Sequence, residues 1–186
     1  MSRLWPHTLY AEDQPYSPAI LTTHVLYRGF QTGAIVGPIV SAARYYAVRF
    51  FAKETPSARP STSLPSTSLS AASLRSAGTG AVWGTGVLAL VLAHRMWGRE
   101  EIEWRDRAWR LLENRGQVEV DGWGVVGAVG GGVGVWRLGR GVSWRVRVGG
   151  VGVGSAVGVF GYMVWRHGVK GGKWEEAVPD VEGVTT

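Results

Sequence analysis

"GWGVVGAVGGGVGVW", residues 122–136, holds seven glycines, eight apolar residues and no charge, and it stops against Arg137. Three structures compete for it. A glycine-rich loop would cradle a phosphate, a Val/Gly alternation would make a strand, and an apolar helix would sit out of water. The rest of the chain decides among them.

Composition narrows the choice first. The 186 residues suffice for one ordinary domain. Its 28 glycines and 10 tryptophans accompany only 18% charged residues, against about 25% in typical soluble domains. Tryptophan argues against disorder, since disordered segments are poor in aromatics. The absence of cysteine excludes a disulfide scaffold, a Cys-ligated zinc and a thiol nucleophile.

The charges are gathered rather than spread. Residues 76–93 and 148–165 are two uncharged runs of 18 residues, and 29–43 and 122–136 are two of 15. At 1.5 Å per residue the long pair covers about 27 Å, close to a bilayer's hydrocarbon thickness, and the short pair about 22 Å. "AILTTHVLY", 19–27, extends the first short run, so that Arg28 faces its partners or snorkels. The chain is therefore expected to be an all-α membrane protein with four Gly-rich transmembrane helices. The spans fall at about 19–43, 76–94, 121–137 and 148–165, so that the bundle occupies 19–166 between an N-terminal tail, 1–18, and a C-terminal tail, 167–186.

The competing readings of 122–136 fare worse. Gly122, Gly124 and Gly127 match G-x-G-x-x-G after a short "QVEV", but no acid follows Asp121 until Glu175, so nothing would hold a ribose. "VSWRVRV", 142–148, alternates like a short strand or an extended turn between spans. A β-barrel would need many such segments. Helices in lipid associate by close backbone approach, which small residues four apart permit. Such rows run through every span: Gly29, Gly33 and Gly37; Gly80 and Gly84; Gly127 with Gly131 and Gly130 with Gly134; and Gly150, Gly154 and Gly158. They are the expected helix-packing residues. Trp97, Trp123, Trp136 and Trp165 border the uncharged runs as interfacial aromatics do, whereas Trp83 lies well inside one.

The connections differ in kind. Residues 55–75 are Ser/Pro/Thr-rich and read as a flexible loop. Residues 99–115 read as an amphipathic helix in the second loop. It carries a stripe of Trp104, Ala108, Leu111 and Leu112 and the i,i+4 pairs Glu101/Arg105, Glu103/Arg107 and Asp106/Arg110. That stripe either caps the bundle or docks another subunit. With four spans, the termini and second loop share one side, with 10 basic and 13 acidic residues; the other two loops hold 9 basic residues and one acid, Glu54. Orientation follows Lys/Arg and not net charge, so 10 against 9 alone does not decide it; the unneutralised loops of the second side read as the cytoplasmic or matrix face. Its "RLGRGVSWRVR", with Arg137, Arg140, Arg145 and Arg147, offers contacts for anionic lipid head groups such as cardiolipin.

No catalytic or metal-binding set emerges. His7, His24, His94 and His167 are scattered without i,i+4 spacing, and no acid is expected to be buried inside a span. Nucleic acid is not expected as a partner, because the aromatics border apolar runs rather than a basic groove. The opening "MSRLWPHTLYAEDQPYSP" resembles neither a secretory signal nor an Arg-rich transit peptide.

"GAVWGTGVLALVL", "NRGQVEVDGWGVVGA" and the GxxxG rows, in four spans over 19–165, resemble the Tim family of mitochondrial inner-membrane proteins. Arg115, Asp121, Ala128 and Gly131 stand at the positions of that family's signature. The family includes protein-import translocase subunits and an accessory subunit of respiratory complex I. The length and "TLYAEDQPYSP" are similar to the fungal form of the latter. The resemblance implies a non-catalytic accessory membrane subunit of NADH:ubiquinone oxidoreductase in the mitochondrial inner membrane, with both termini in the intermembrane space. It would carry no cofactor beyond a structural phospholipid, and its partners would be other membrane subunits and lipids. The alternatives are a component of a translocase or solute-transport complex, with Gln31, Thr32, Thr79, Thr85 and Ser155 to line a pore, and a free-standing membrane scaffold.

Overall fold

The computed structural model describes residues 5–51, 69–139 and 141–172. Their regular structure is helical throughout: α1 (Ser17–Phe51), α2 (Leu69–Met96), α3 (Glu101–Glu113), α4 (Arg115–Trp136) and α5 (Trp144–Met163). A 3-10 turn at Ala11–Asp13 precedes them and a π-helical turn at Val164–Val169 extends the last. The stretch 122–136 is thus neither strand nor phosphate loop but the greater part of α4.

Two segments, Ser70–Met96 and Trp144–Val169, are long and apolar enough to cross a membrane. With 35 and 22 residues, α1 and α4 reach about 52 and 33 Å, enough for a bilayer. Their composition holds them back, because glycine contributes little hydropathy and each carries charge: Arg28 in α1, Glu119 and Asp121 in α4.

Several boundaries move. Residues 69–75, expected in the flexible loop, form the first turns of α2, since "LSAASLR" contains neither Pro nor Gly; residues 55–68 of that loop lie outside the described residues. The break between α3 and α4 is the single residue Asn114, whose side chain accepts from the Gln117 N–H at 3.1 Å and caps α4. α4 therefore starts six residues before the expected span. The alternating "VSWRVRV" is helical from Trp144, because its backbone is held against α2. Through the π-helical turn α5 continues to Val169 into the expected C-terminal tail, whose residues 173–186 lie outside the described residues.

The helices associate as two pairs, α1 with α2 and α4 with α5, joined where α2 and α1 meet α5. Where α1, α2 and α5 converge the interior is Ala34, Ala77 and Ala81, flanked by Phe30, Val148 and Val153. Large apolar side chains point outward instead: Trp83 is 71% exposed and Leu90 73%, and Ile39, Val126 and Phe160 are also exposed. Across one end lies α3. Its Ala108 and Leu112 are buried with Ile20, and Trp5 and Leu111 pack around them.

Candidate functional site: glycine seams around a buried ionic core

Most of the expected packing glycines lie where backbones touch. A Cβ on Gly29, Gly33 or Gly37 would come closer than 3.0 Å to a carbonyl oxygen of Gly84, Gly80 or Ser76, and one on Gly80 or Gly84 would strike the oxygen of Gly33 or Gly29. In the other pair, Gly127 and Gly131 face the carbonyls of Gly154 and Gly150, and Gly154 and Gly158 those of Gly127 and Trp123. Each glycine thus turns its Cα toward an opposing carbonyl, the arrangement of a Cα–H···O contact, worth about 0.5–1 kcal/mol. Gly150 meets the Val135 side chain. Gly134 does not join: nothing lies within 4 Å of it or of Gly130. The seam runs along the row Gly127, Gly131 and Val135, and Gly130 and Gly134 each stand one residue from it, turned about 100° around the helix.

A third seam was absent from the expected rows. Gly78 faces the Arg145 carbonyl and Gly149 faces that of Leu74, which fastens α2 to α5. Each helix contributes one glycine here and one ordinary residue, so a search for glycine pairs within a helix passes over it. The only hint was the doublet Gly149–Gly150.

Between α1 and α4 the backbones stay apart, and long polar side chains fill the space. Arg28 donates from Nη2 to Asp121 Oδ1 at 2.6 Å and from Nη1 to Gln31 Oε1 at 2.8 Å. His24 Nδ1 donates to Asp121 Oδ2 at 3.1 Å, and Gln117 Nε2 to Oδ1 at 3.3 Å. Gln31 Nε2 donates to Ser155 Oγ at 2.8 Å, and the hydroxyls of Ser155 and Tyr27 share a 2.7 Å hydrogen bond. Asp121 is 1% exposed and Ser155 fully buried. The chain thus does bury an acid inside a helix of the bundle, contrary to expectation. That acid is tolerable there because a guanidinium, an imidazole and an amide surround it. Gly124 makes the room: a Cβ on it would stand 2.7 Å from Gln31 Nε2 and 2.8 Å from the Tyr27 hydroxyl.

At the end nearest this core Trp123, Tyr162 and Trp165 form a triangle of rings with centroids 6.0–6.4 Å apart. Of the stripe on α3, Ala108, Leu111 and Leu112 pack against Ile20 and Trp5 of the chain itself. Ala108 and Leu112 are covered by α1 and the amino-terminal segment, while Trp104 and Leu111 are half-buried. Trp109 Nε1 donates to the Thr8 carbonyl at 3.0 Å, Arg105 to that of Glu12 at 2.5 Å, and His7 lies 3.3 Å from Glu113. Two expected helix pairs form, Glu101/Arg105 and Asp106/Arg110. Glu103 instead pairs with Arg99, while Arg107 donates to the Met96 sulfur. Of the lipid-contact arginines, Arg137, Arg145 and Arg147 are exposed at the opposite end, and Arg140 lies outside the described residues. No group of three His, Asp or Glu side chains suited to a metal occurs among the described residues.

An all-helical fold with glycine seams, an ionic core and two helices fit to cross a membrane defines the class. The chain belongs to the family described as Protein of unknown function (DUF1757), whose model matches residues 11–163, the five helices nearly entire. A comparison with curated proteins returned no match.

Proposed function

We propose that α1, α2, α4 and α5 all span the mitochondrial inner membrane and that the protein is a non-catalytic accessory subunit of complex I, stabilising its membrane arm through helix packing and lipid contact. One observation carries the membrane reading: the polarity of the bundle is inverted. Alanine, glycine and an ionic network are buried while valine, leucine, phenylalanine and tryptophan face outward, on a scale that soluble monomers do not present to water. The resemblance to the Tim family supports the mitochondrial reading. Asp121, one of its matching positions, is the centre of the buried network.

The amino-terminal end meets α3 through His7 and Glu113, and the carboxyl-terminal end meets the first half of α4, the helix that follows α3, through Trp165 and Trp123. Arg44, Arg75, Arg137 and Arg145 belong to the opposite end, and because its loops carry arginines almost without acids we read it as the matrix face. A pore reading is disfavoured, because Gln31 and Ser155 bond each other inside the bundle and Thr79 and Thr85 return their hydroxyls to the Arg75 and Ala81 carbonyls. Native gels of detergent-solubilised mitochondria test the assignment. The protein is expected to resist carbonate extraction and to comigrate with NADH dehydrogenase activity. Comigration with a protein-import translocase, or release by carbonate, overturns it.

A further inference from the structure

Beside the α1–α2 seam runs an open groove of about 770 Å³. Because the glycine contacts bring the two backbones together, the side chains on either flank stand up as walls. Thr32, Val36 and Val40 form one wall and Thr79, Trp83 and Val87 the other, each row stepping by four residues. One further step along either row reaches an arginine, Arg44 on α1 and Arg75 on α2, and Arg145 of α5 closes the same end. All three are exposed, and among the described residues none is paired with a carboxylate. From Gly29 to Arg44 the groove follows 15 residue-to-residue steps of α1, about 22 Å at 1.5 Å per step and longer than the roughly 15 Å depth of one hydrocarbon leaflet.

We infer that this groove is a binding site for an anionic glycerophospholipid, an acyl chain lying along the glycine seam and a phosphodiester held by Arg44, Arg75 and Arg145. The charge pattern selects the occupant. A transmembrane helix of a partner would fill the apolar walls but bring no anion to three guanidiniums, and free phosphate would leave the walls empty. Guanidinium suits the task because its planar donors pair with phosphate oxygens two at a time. At the same end the Ser41 hydroxyl offers a donor for a glycerol or a second phosphate oxygen, while that of Ser76 donates to the Ala72 carbonyl at 3.0 Å. Arg145 was one of the arginines expected to meet lipid; Arg44 and Arg75 join it only once α1 and α2 are paired.

This site rests on the membrane reading above, and one experiment separates their failures. The full-length protein, purified in detergent, is titrated with phosphatidylglycerol, phosphatidylcholine or inorganic phosphate and followed by native mass spectrometry. Phosphatidylglycerol is expected to bind at least about tenfold more tightly than phosphatidylcholine. The loss should be roughly fivefold for each of Arg44→Gln, Arg75→Gln and Arg145→Gln, and on the order of 100-fold for the triple variant. Val40→Trp, which fills the groove, should lower the affinity for both lipids. Arg110→Gln, on α3 and outside the groove, should change neither, and unaltered far-UV circular dichroism shows that the variants are folded. Equal binding by wild type and triple variant, or equal affinity for the two lipids, overturns the site. So does competition by inorganic phosphate at millimolar concentration, which would make it a phosphate site. A photo-crosslinker at position 83 that captures protein instead of lipid in native membranes overturns it as well, in favour of a partner helix. Release of the protein from membranes by carbonate would sink the membrane reading itself.

Discussion

Asp121 shows how much one side chain can demand of its neighbours. A carboxylate that is 1% exposed is stable in a bundle only if its charge is answered, and three of its partners, Arg28, His24 and Gln117, come from two helices. Asp121→Ala leaves Arg28 without its counter-charge and should cost about 3–5 kcal/mol. Asp121→Leu combined with Arg28→Met removes both charges and should recover much of that loss. Thermal unfolding in detergent micelles, followed by near-UV circular dichroism, would show it as a double variant more stable than either single one. Equal losses in all three would mean that the pair contributes nothing. Gly124 belongs to the same account: it is glycine because Gln31 and Tyr27 occupy the space a methyl group would take.

Among the elements, stability is carried by seams with almost no side chains in them. Gly80→Val would drive two methyl groups into the α1 backbone and should cost about 1–3 kcal/mol or separate α1 from α2 altogether. Gly86→Ala is the matched control, since nothing lies within 4 Å of Gly86; it should be neutral or stabilise by up to about 1 kcal/mol. Melting temperatures of the two variants side by side would decide, and equal values would show that the close approach at Gly80 is immaterial. These seams were legible in the sequence because a spacing of four needs only the helix itself to be recognised. Gly78 and Gly149 were not, since each meets an ordinary residue's backbone on another helix. The stripe on α3 was readable as a helix face, but its occupant was not: Ile20 lies some 90 residues upstream and Trp5 more than 100. The ionic core was hidden for the same reason. Nothing local to Arg28 or Asp121 distinguishes a buried pair from two interfacial charges.

At the scale of the whole molecule, the outward-facing apolar side chains fit the proposed surrounding, one that is itself apolar. Val126 sits midway along α4 and is 67% exposed. On a water-facing surface Val126→Lys would change stability by no more than about 0.5 kcal/mol, whereas at the centre of a bilayer it should cost about 2.5–3.5 kcal/mol. The amount of variant retained in carbonate-washed membranes distinguishes the two, and wild-type levels of the lysine variant would place that face in water. The polarity of the ends was largely legible, because arginines and tryptophans at helix ends depend on composition and not on tertiary contacts. The length of α4 was not, since its first two turns carry the charges that seemed to end the span.

The pairing of Arg28 with Asp121 also has a consequence for how the chain reaches this arrangement. Its members lie 93 residues apart, so if α1 and α4 both span a membrane as proposed, α1 would offer a cation to the bilayer long before α4 supplied its counter-ion. On that reading α1 would wait near the headgroups with its arginine hydrated and would reach full depth only after the later hairpin of α4 and α5 had entered.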